Sequence, residues 1–359
     1  MSATVTIGGL RTAFVSVAYR ASVDEAVRTA SVALGLVFKD LPVRVAPGAA
    51  VVVEVAGVPM VTGYIDEVDD DGGPTSRTLT LSLRGRGQDL VDCSAPLGAR
   101  LQQTVAEVGA ALGERYGVTV RADVDPGPRF ARVVPTPGET NFDVLDRLAR
   151  ERGLLLMGTG DGGMALTRAG AGATMPTFTL TRPGHILRAR WRFALQERFS
   201  LYECRSQRAG DANTWGVDLS VTGQAVDEIV PRFRNLLLTD CKGGPEAARQ
   251  RATWEAATRA GRSATGTLVV AGLVRPDGRP WEPNQLVAVD DQVSGVRGVL
   301  LVVSVDGTVS ADDAESVSLE VAPVDGYELL VPKVSRGRRG TQLGAWQFTG
   351  GTPTLEDVR

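Results

Sequence analysis

The sequence predicts a mainly β fold with α+β insertions, arranged as two barrel-like domains flanking a small α+β module. Short runs rich in Val, Leu and Thr, several with period-two alternation, recur towards both ends of the chain. The 42 glycines and 19 prolines fall mostly between those runs, as turn residues do, and keep no strict period. Helical spacing is confined to a pair of segments near the centre and one later segment.

Residues 1–95 read as the first barrel-like domain. Thr4 to Ile7 and Phe14 to Ala18 are β-prone, and Val43 to Val45 leads into a Pro47-Gly48 turn. Val51 to Val55, broken only by Glu54, has the branched character of a largely buried strand. A Gly57-Val58-Pro59 turn separates it from the strand Met60 to Val68, and Asp69 to Pro74 reads as an exposed loop. Thr78 to Leu83 alternates hydroxyl side chains with Leu, the pattern of a strand with one buried face. Several short strands joined by such turns make a small barrel or sandwich.

Residues 96–175 form the α+β module. Thr104 to Tyr116 places Val105, Val108, Ala111 and Leu112 on one helical face, with Gly117 positioned to close the helix. A second helix starts at Asn141, carries Phe142, Leu145, Leu148 and Ala149 at helical spacing, and stops at Gly153. Leu154 to Met157 and Met164 to Thr167 flank a Gly-rich turn and read as a hairpin. Residues 176–330 return to strands, near Ile186 to Phe193, Phe199 to Ser206, Thr267 to Val270, Leu286 to Val289, Val299 to Val305 and Ser316 to Val321. A helical insertion near 245–260 opens with Pro245 and Glu246, both suited to a first turn. Residues 331–359, with Lys333, Arg336, Arg338 and Arg339, read as a flexible basic C-terminal extension.

Composition narrows the classes. A chain of 359 residues that is 43% hydrophobic holds two or three domains and is too apolar for a disordered tail. A net charge of -3 excludes the bulk basicity of a general nucleic-acid coat. Cys93, Cys204 and Cys241 are too few and too far apart for a disulfide framework, and a single His185 leaves little for zinc. No leader pattern opens the chain and no apolar stretch reaches the roughly 18 residues of a membrane span, so the expectation is a soluble protein made without Sec export.

The search for chemistry returns no catalytic, cofactor-binding or metal-binding residues. His185 falls in a turn after Arg182-Pro183-Gly184 and reads as an ordinary loop residue. The acidic run Asp66, Glu67, Asp69, Asp70 and Asp71 misses the calcium-loop template and reads as a solvated hairpin loop, with a metal site and a carboxylate pair as the sharper alternatives. On the second helix, Asp143 with Arg147 and Arg147 with Glu151 are spaced for surface ion pairs, with Asp146 and Arg150 alongside. Met157, Met164 and Met175 read as core or hairpin packing. Trp191, Trp215, Trp254, Trp281 and Trp346 are spread singly and form no stacking platform. Trp281, in a turn before a strand, reads as a plug for a barrel end, an interface residue or a ligand contact.

The order of segments adds a resemblance. Thr62-Gly63-Tyr64-Ile65-Asp66 is followed by Gly85-Arg86-Gly87 and the run from Asp89 to Ala95, then by Pro137-Gly138-Glu139-Thr140 and the run from Leu148 to Leu156. Arg198-Phe199-Ser200 with Tyr202 comes next, then Arg251 to Glu255 with Arg262-Ser263, and finally Trp281-Glu282-Pro283-Asn284 ahead of Val287. Together these strings resemble the Mu-like phage tail protein P family, the baseplate hub of contractile tails, from residue 4 to about residue 325. The resemblance implies a homotrimer whose two similar barrels per chain make a pseudo-sixfold ring. Such a ring adapts the sixfold tail tube to the threefold central spike, meets neighbouring baseplate proteins, and passes DNA through a central channel without specific binding. It implies a place in the virion tail baseplate, assembled in the host cytoplasm, with no membrane insertion, no enzymatic activity, no cofactor and no catalytic residue to carry over. Two other classes stay open: a tail-associated peptidoglycan-binding module, since 96–175 loosely resembles a LysM-like arrangement, and a cell-wall hydrolase built on Asp66 to Asp71.

Overall fold

The computed structural model describes residues 2–35, 45–73, 77–172, 175–207, 220–239, 244–310, 315–330 and 347–348. The first β-rich region supplies β1 (Ala3–Ile7), β2 (Leu10–Thr12), β3 (Ser16–Ser22), β4 (Thr29–Gly35), β5 (Ala50–Val55), β6 (Val58–Gly72) and β7 (Arg77–Gly85). The centre supplies α1 (Gln88–Asp92), β8 (Arg100–Gln103), α2 (Val105–Gly113), β9 (Val120–Ala122), β10 (Phe130–Val133), α3 (Asn141–Glu151), β11 (Leu155–Gly158) and β12 (Met164–Thr167). The remainder supplies β13 (Thr179–Arg182), β14 (Ile186–Phe193), β15 (Leu201–Gln207), β16 (Ser220–Val226), β17 (Asn235–Leu238), α4 (Pro245–Arg262), β18 (Ala264–Ala271), β19 (Leu286–Asp291), β20 (Val296–Ser310), β21 (Ser316–Ala322) and β22 (Gln347–Phe348).

The fold is mainly β with α+β insertions, as expected, but the two barrel-like domains are not there. A barrel closes when its first and last strands pair. Here 14 strands join in one open sheet, ordered β14-β18-β21-β20-β3-β4-β7-β6-β5-β1-β2, with β19 and β22 on β20 and β13 on β19. The joint between the two β-rich regions is antiparallel: residues 16–22 of β3 run opposite 304–310 of β20. Pairing β3 with β20 uses the edge that closure of the first region would need.

Alternation explains the strands. Val51, Val53 and Val55 on β5, Val32 and Leu34 on β4, and Leu79, Leu81 and Leu83 on β7 all point into one core, which also takes Leu268, Val302 and Leu319 from the other region. Fully burying each such side chain contributes about 1.5–3 kcal/mol against its ordering entropy. β20 is buried on both faces: Leu300 and Val302 enter that core, while Leu301 and Val303 enter a second one with Met157, Ala165 and Tyr327. Its run Leu300-Leu301-Val302-Val303 is continuous for that reason. Both 15-residue strands carry an irregularity, β6 between Ile65 and Glu67 and β20 between Val302 and Ser304, where a bulge bends the strand.

The central helices form as the sequence indicates. Thr104 caps α2 in a reciprocal box with Glu107, and Thr140 caps α3 in the same way with Asp143. Gly117 (φ 61°) follows the short turn after α2 in the left-handed conformation. Val105, Val108 and Leu112 pack against Val144, Leu145 and Leu148. The β11–β12 hairpin forms in register, and β12 also pairs in parallel with β9.

Some expected boundaries shift. Asp69 to Asp71 are not loop: they continue β6, paired with β7 as far as Gly72 opposite Arg77. The strand placed at Phe14 to Ala18 runs instead over β3. Val43, Cys241, Trp215 and Trp346 lie outside the described residues, as does the basic extension 331–359 apart from β22, whose two residues pair with Val296 and Arg297.

Candidate functional site

The segment Trp281-Glu282-Pro283-Asn284 enters β19 after a tight loop in which the Arg275 amide donates to the Arg279 carbonyl at 2.7 Å. It is where the molecule is tied together. Trp281 is 2% exposed, with Phe178 edge-on to its ring at 5.8 Å between centroids. A ring this buried within its own chain is a core side chain, so the interface and ligand readings fall, and no barrel end exists for it to plug. Glu282 receives the guanidinium of Arg28, which is 5% exposed and also donates to the carbonyls of Gly158 (3.1 Å) and Met60 (3.3 Å). Asn284, at φ 64°, donates to the Arg168 carbonyl (3.0 Å) and accepts from the Gly170 amide (2.8 Å). One tetrapeptide thus fastens the β3–β4 turn, the start of β6 and the β11–β12 hairpin.

Beside this seam is an open depression of about 400 Å³ lined by Arg28, Arg121, Asp123, Thr159, Asp161 and Glu282, among others. Burial pushes the Asp161 carboxyl up, but the Thr159 hydroxyl and the Gly163 amide hold it below the ordinary range. These polar groups satisfy one another. Among the described residues, no group of three or more His, Cys, Asp or Glu side chains is placed to hold a metal ion.

The acidic run does not form a carboxylate pair in a cleft. It lies on the exposed arm of the β6–β7 hairpin, where Arg84 bridges Asp66 (2.6 Å) and Asp92 (2.9 Å) and Arg77 holds Asp70. His185 sits in the exposed turn before β14, its Nδ1 3.1 Å from the Thr181 hydroxyl. On α3 the expected pairs are replaced: Arg147 bridges Glu139 at 3.0 Å, Arg150 bridges Asp146 at 2.7 Å, and Asp143 is used in the cap. Met157 and Met164 are buried as expected, but Met175 is 59% exposed. Trp254 donates to the Glu328 carbonyl, and Trp191 to Asp291.

A surface that sequence reading did not single out lies on the small sheet β16-β15-β17, which packs on α4 through Tyr202, Cys204, Ala248 and Ala252. Cys204 is disulfide-bonded, one cross-link rather than a framework, and Cys93 carries a free thiol. The buried ion pair Arg198–Asp227 (2.7 Å) pins the chain after β16. From that pinned segment Val226, Ile229 and Phe233 project to solvent at 67%, 67% and 78% exposure, with Leu237 at 49%. These four apolar side chains are exposed within one short stretch of chain. The available signal was a set of apolar residues, Val226, Ile229, Phe233 and Leu237, standing among charged and turn residues without the period of a buried strand face.

A family profile described as the second domain of baseplate hub protein gp44-like proteins matches residues 87–168. Baseplate hub protein gp44 of Escherichia phage Mu is 29% identical over 307 residues, covering 82% of this chain and 80% of that protein. The 43 kDa tail protein of prophage MuSo2 from Shewanella oneidensis has the same fold, with a TM-score of 0.80 and 24% identity over 91% of this chain and 99% of its own. The tail protein of Neisseria meningitidis MC58 superposes at a TM-score of 0.73 with 21% identity over 91% of this chain and 98% of its own. Residues 87–168 thus match the second domain of gp44-like baseplate hub proteins, and over most of its length the chain is similar to baseplate hub protein gp44 of phage Mu and shares the fold of two phage tail proteins.

Proposed function

We propose that three copies of this chain form the hub ring, with the two β-rich regions of each copy giving it pseudo-sixfold character. The ring joins the sixfold tail tube to the threefold central spike, and DNA passes along its axis without specific binding. On this reading residues 1–95 and 176–330 supply the ring, 96–175 is a module seated on it, and 331–359 is an appendage. The observation that carries the proposal is the open sheet, which builds both β-rich regions into one body and leaves β14 and β2 at the ends of its main strand path. Ends of a sheet with unused backbone donors and acceptors are natural joints between copies. The exposed apolar side chains after β16 offer a contact for a neighbouring component.

The test is the mass in solution across concentration, by light scattering after size exclusion, followed by class averages of stained particles. A stable mass of three 37.9 kDa chains with threefold averages of sixfold outline is expected. A monomer at every concentration refutes the self-assembling ring.

A further inference from the structure

We propose that the outer face of β14 docks on the outer face of the β6–β7 hairpin of a second copy of this chain. The inference rests on the ring reading and names the joint. β14 ends the main strand path of the large sheet and, among the described residues, pairs only with β18. On its exposed face Arg188, Arg190 and Arg192 recur at every second residue, a repeat of about 7 Å. None of the three has an ion pair or side-chain hydrogen bond among the described residues. The strand beneath them is held firmly. The Trp191 ring lies across Gly266, where an added Cβ would be 2.3 Å from the ring, and its Nε1 donates to Asp291 at 2.7 Å.

The complementary face is on the same chain, seven interstrand steps away in the sheet order. Beyond the bulge in β6, Glu67, Asp69 and Asp71 are exposed at every second residue, opposite Ser82, Thr80 and Thr78 of β7. Their neighbours Asp66 and Asp70 are occupied by Arg84 and Arg77, whereas these three carboxylates have no such partner among the described residues. Each row of like charges is self-repelling in an isolated chain. Three guanidinium groups and three carboxylates then agree in number and repeat and differ in sign, with hydroxyl side chains flanking both rows: Thr265 and Thr267 lie opposite Arg192 and Arg190. Such a contact joins one patch to a different patch on the next copy. That is the head-to-tail geometry from which rings close. A second copy is favoured over nucleic acid because the chain itself carries the matching row.

The test uses the full chain and the variant Arg188→Glu/Arg190→Glu/Arg192→Glu, with circular dichroism and thermal unfolding confirming that it folds. Its self-association should weaken by at least tenfold, and wild-type association should fall with added salt. Combining it with Glu67→Arg/Asp69→Arg/Asp71→Arg in one chain restores the complementary signs and should restore the wild-type mass. Triple Arg→Gln replacement is the milder variant if charge reversal impairs folding. A trimeric wild type whose arginine variant is equally trimeric, with the same salt response, overturns the docking and leaves the ring reading intact. A wild type that never assembles overturns both. Normal assembly of the variant with loss of binding to a duplex DNA oligonucleotide overturns the docking in favour of nucleic acid.

Discussion

Replacing Arg28 by Met tests whether the seam is held by a buried ion pair. The guanidinium is 5% exposed and Glu282 is 24% exposed, and the arginine also serves two backbone carbonyls at 3.1 and 3.3 Å. Breaking a buried pair by removing one partner costs about 3–5 kcal/mol. Glu282 retains some access to water, which moves the expectation to the lower half of that range. The carbonyls of Gly158 and Met60 each lose one donor, adding up to about 1 kcal/mol together after hydration. The expected loss is therefore about 3–5 kcal/mol, read from the midpoint of urea unfolding at unchanged slope. Adding Glu282→Met should recover at least about 1.5 kcal/mol, because the double variant no longer buries a lone carboxylate. Amide exchange should quicken at Gly158 and Met60 in the single variant. A loss below about 1 kcal/mol, or a double variant as costly as the two singles summed, refutes the reasoning.

Gly63→Ala places a Cβ 1.9 Å from the Arg84 carbonyl oxygen, so β6 and β7 must separate at their base. A loss of about 1–3 kcal/mol in thermal or urea unfolding is expected. Asp291 is fully buried and accepts from Arg182, Trp191 and the amides of Val293 and Ser294. Burial pushes its carboxyl up, but these donors outweigh burial and hold it below the ordinary range. Its contribution is thus fully present above the ordinary aspartate value of about 3.9 and is lost as pH falls through the lower folded value. Asp291→Asn should lose about 3 kcal/mol at neutral pH and show a flatter stability profile on acidification, measured by unfolding between about pH 2 and 6. Phe233→Ser, at a 78% exposed position, should leave the unfolding temperature within about a degree and weaken binding to other tail components in a pull-down; a marked thermal loss would count against a contact surface.

The periodicities were legible because burial writes them directly. Leu79, Leu81 and Leu83 announce a one-sided strand, and the Thr104–Glu107 and Thr140–Asp143 spacings announce helix starts. Partner choice was not legible. The same alternation serves a closed barrel and an open sheet, and the decisive pairing joins Ser16 to Ser310, far apart in sequence. The acidic segment was misread because its charge resembles a loop, while the residues that keep it extended, Arg77 and Arg84, stand on the facing strand. The importance of Trp281-Glu282-Pro283-Asn284 was visible as an ordered string. Its role was not, since Arg28, Gly158 and Arg168 come from three other segments.

The open sheet changes what the proposed ring predicts. Two closed barrels per chain would make a ring of six similar bodies, with a linker-borne contact alternating with a contact between copies. A shared sheet instead makes one of the two alternating joints a backbone ladder, seven residue pairs between β3 and β20. That joint does not open without unfolding a core that includes Tyr19, Val305 and Val309. The joint between copies, built from side chains of exposed strands, is screened by salt. In such a ring the sixfold character is approximate by construction, and dissociation proceeds to whole chains with both β-rich regions still joined. Limited proteolysis of chains released by salt should accordingly leave the β3–β20 ladder protected to the same degree as in the ring, while cleavage within the β6–β7 hairpin becomes faster. Equal loss of protection at both places would mean that the two joints are of one kind, and that the ladder is not what holds the halves together.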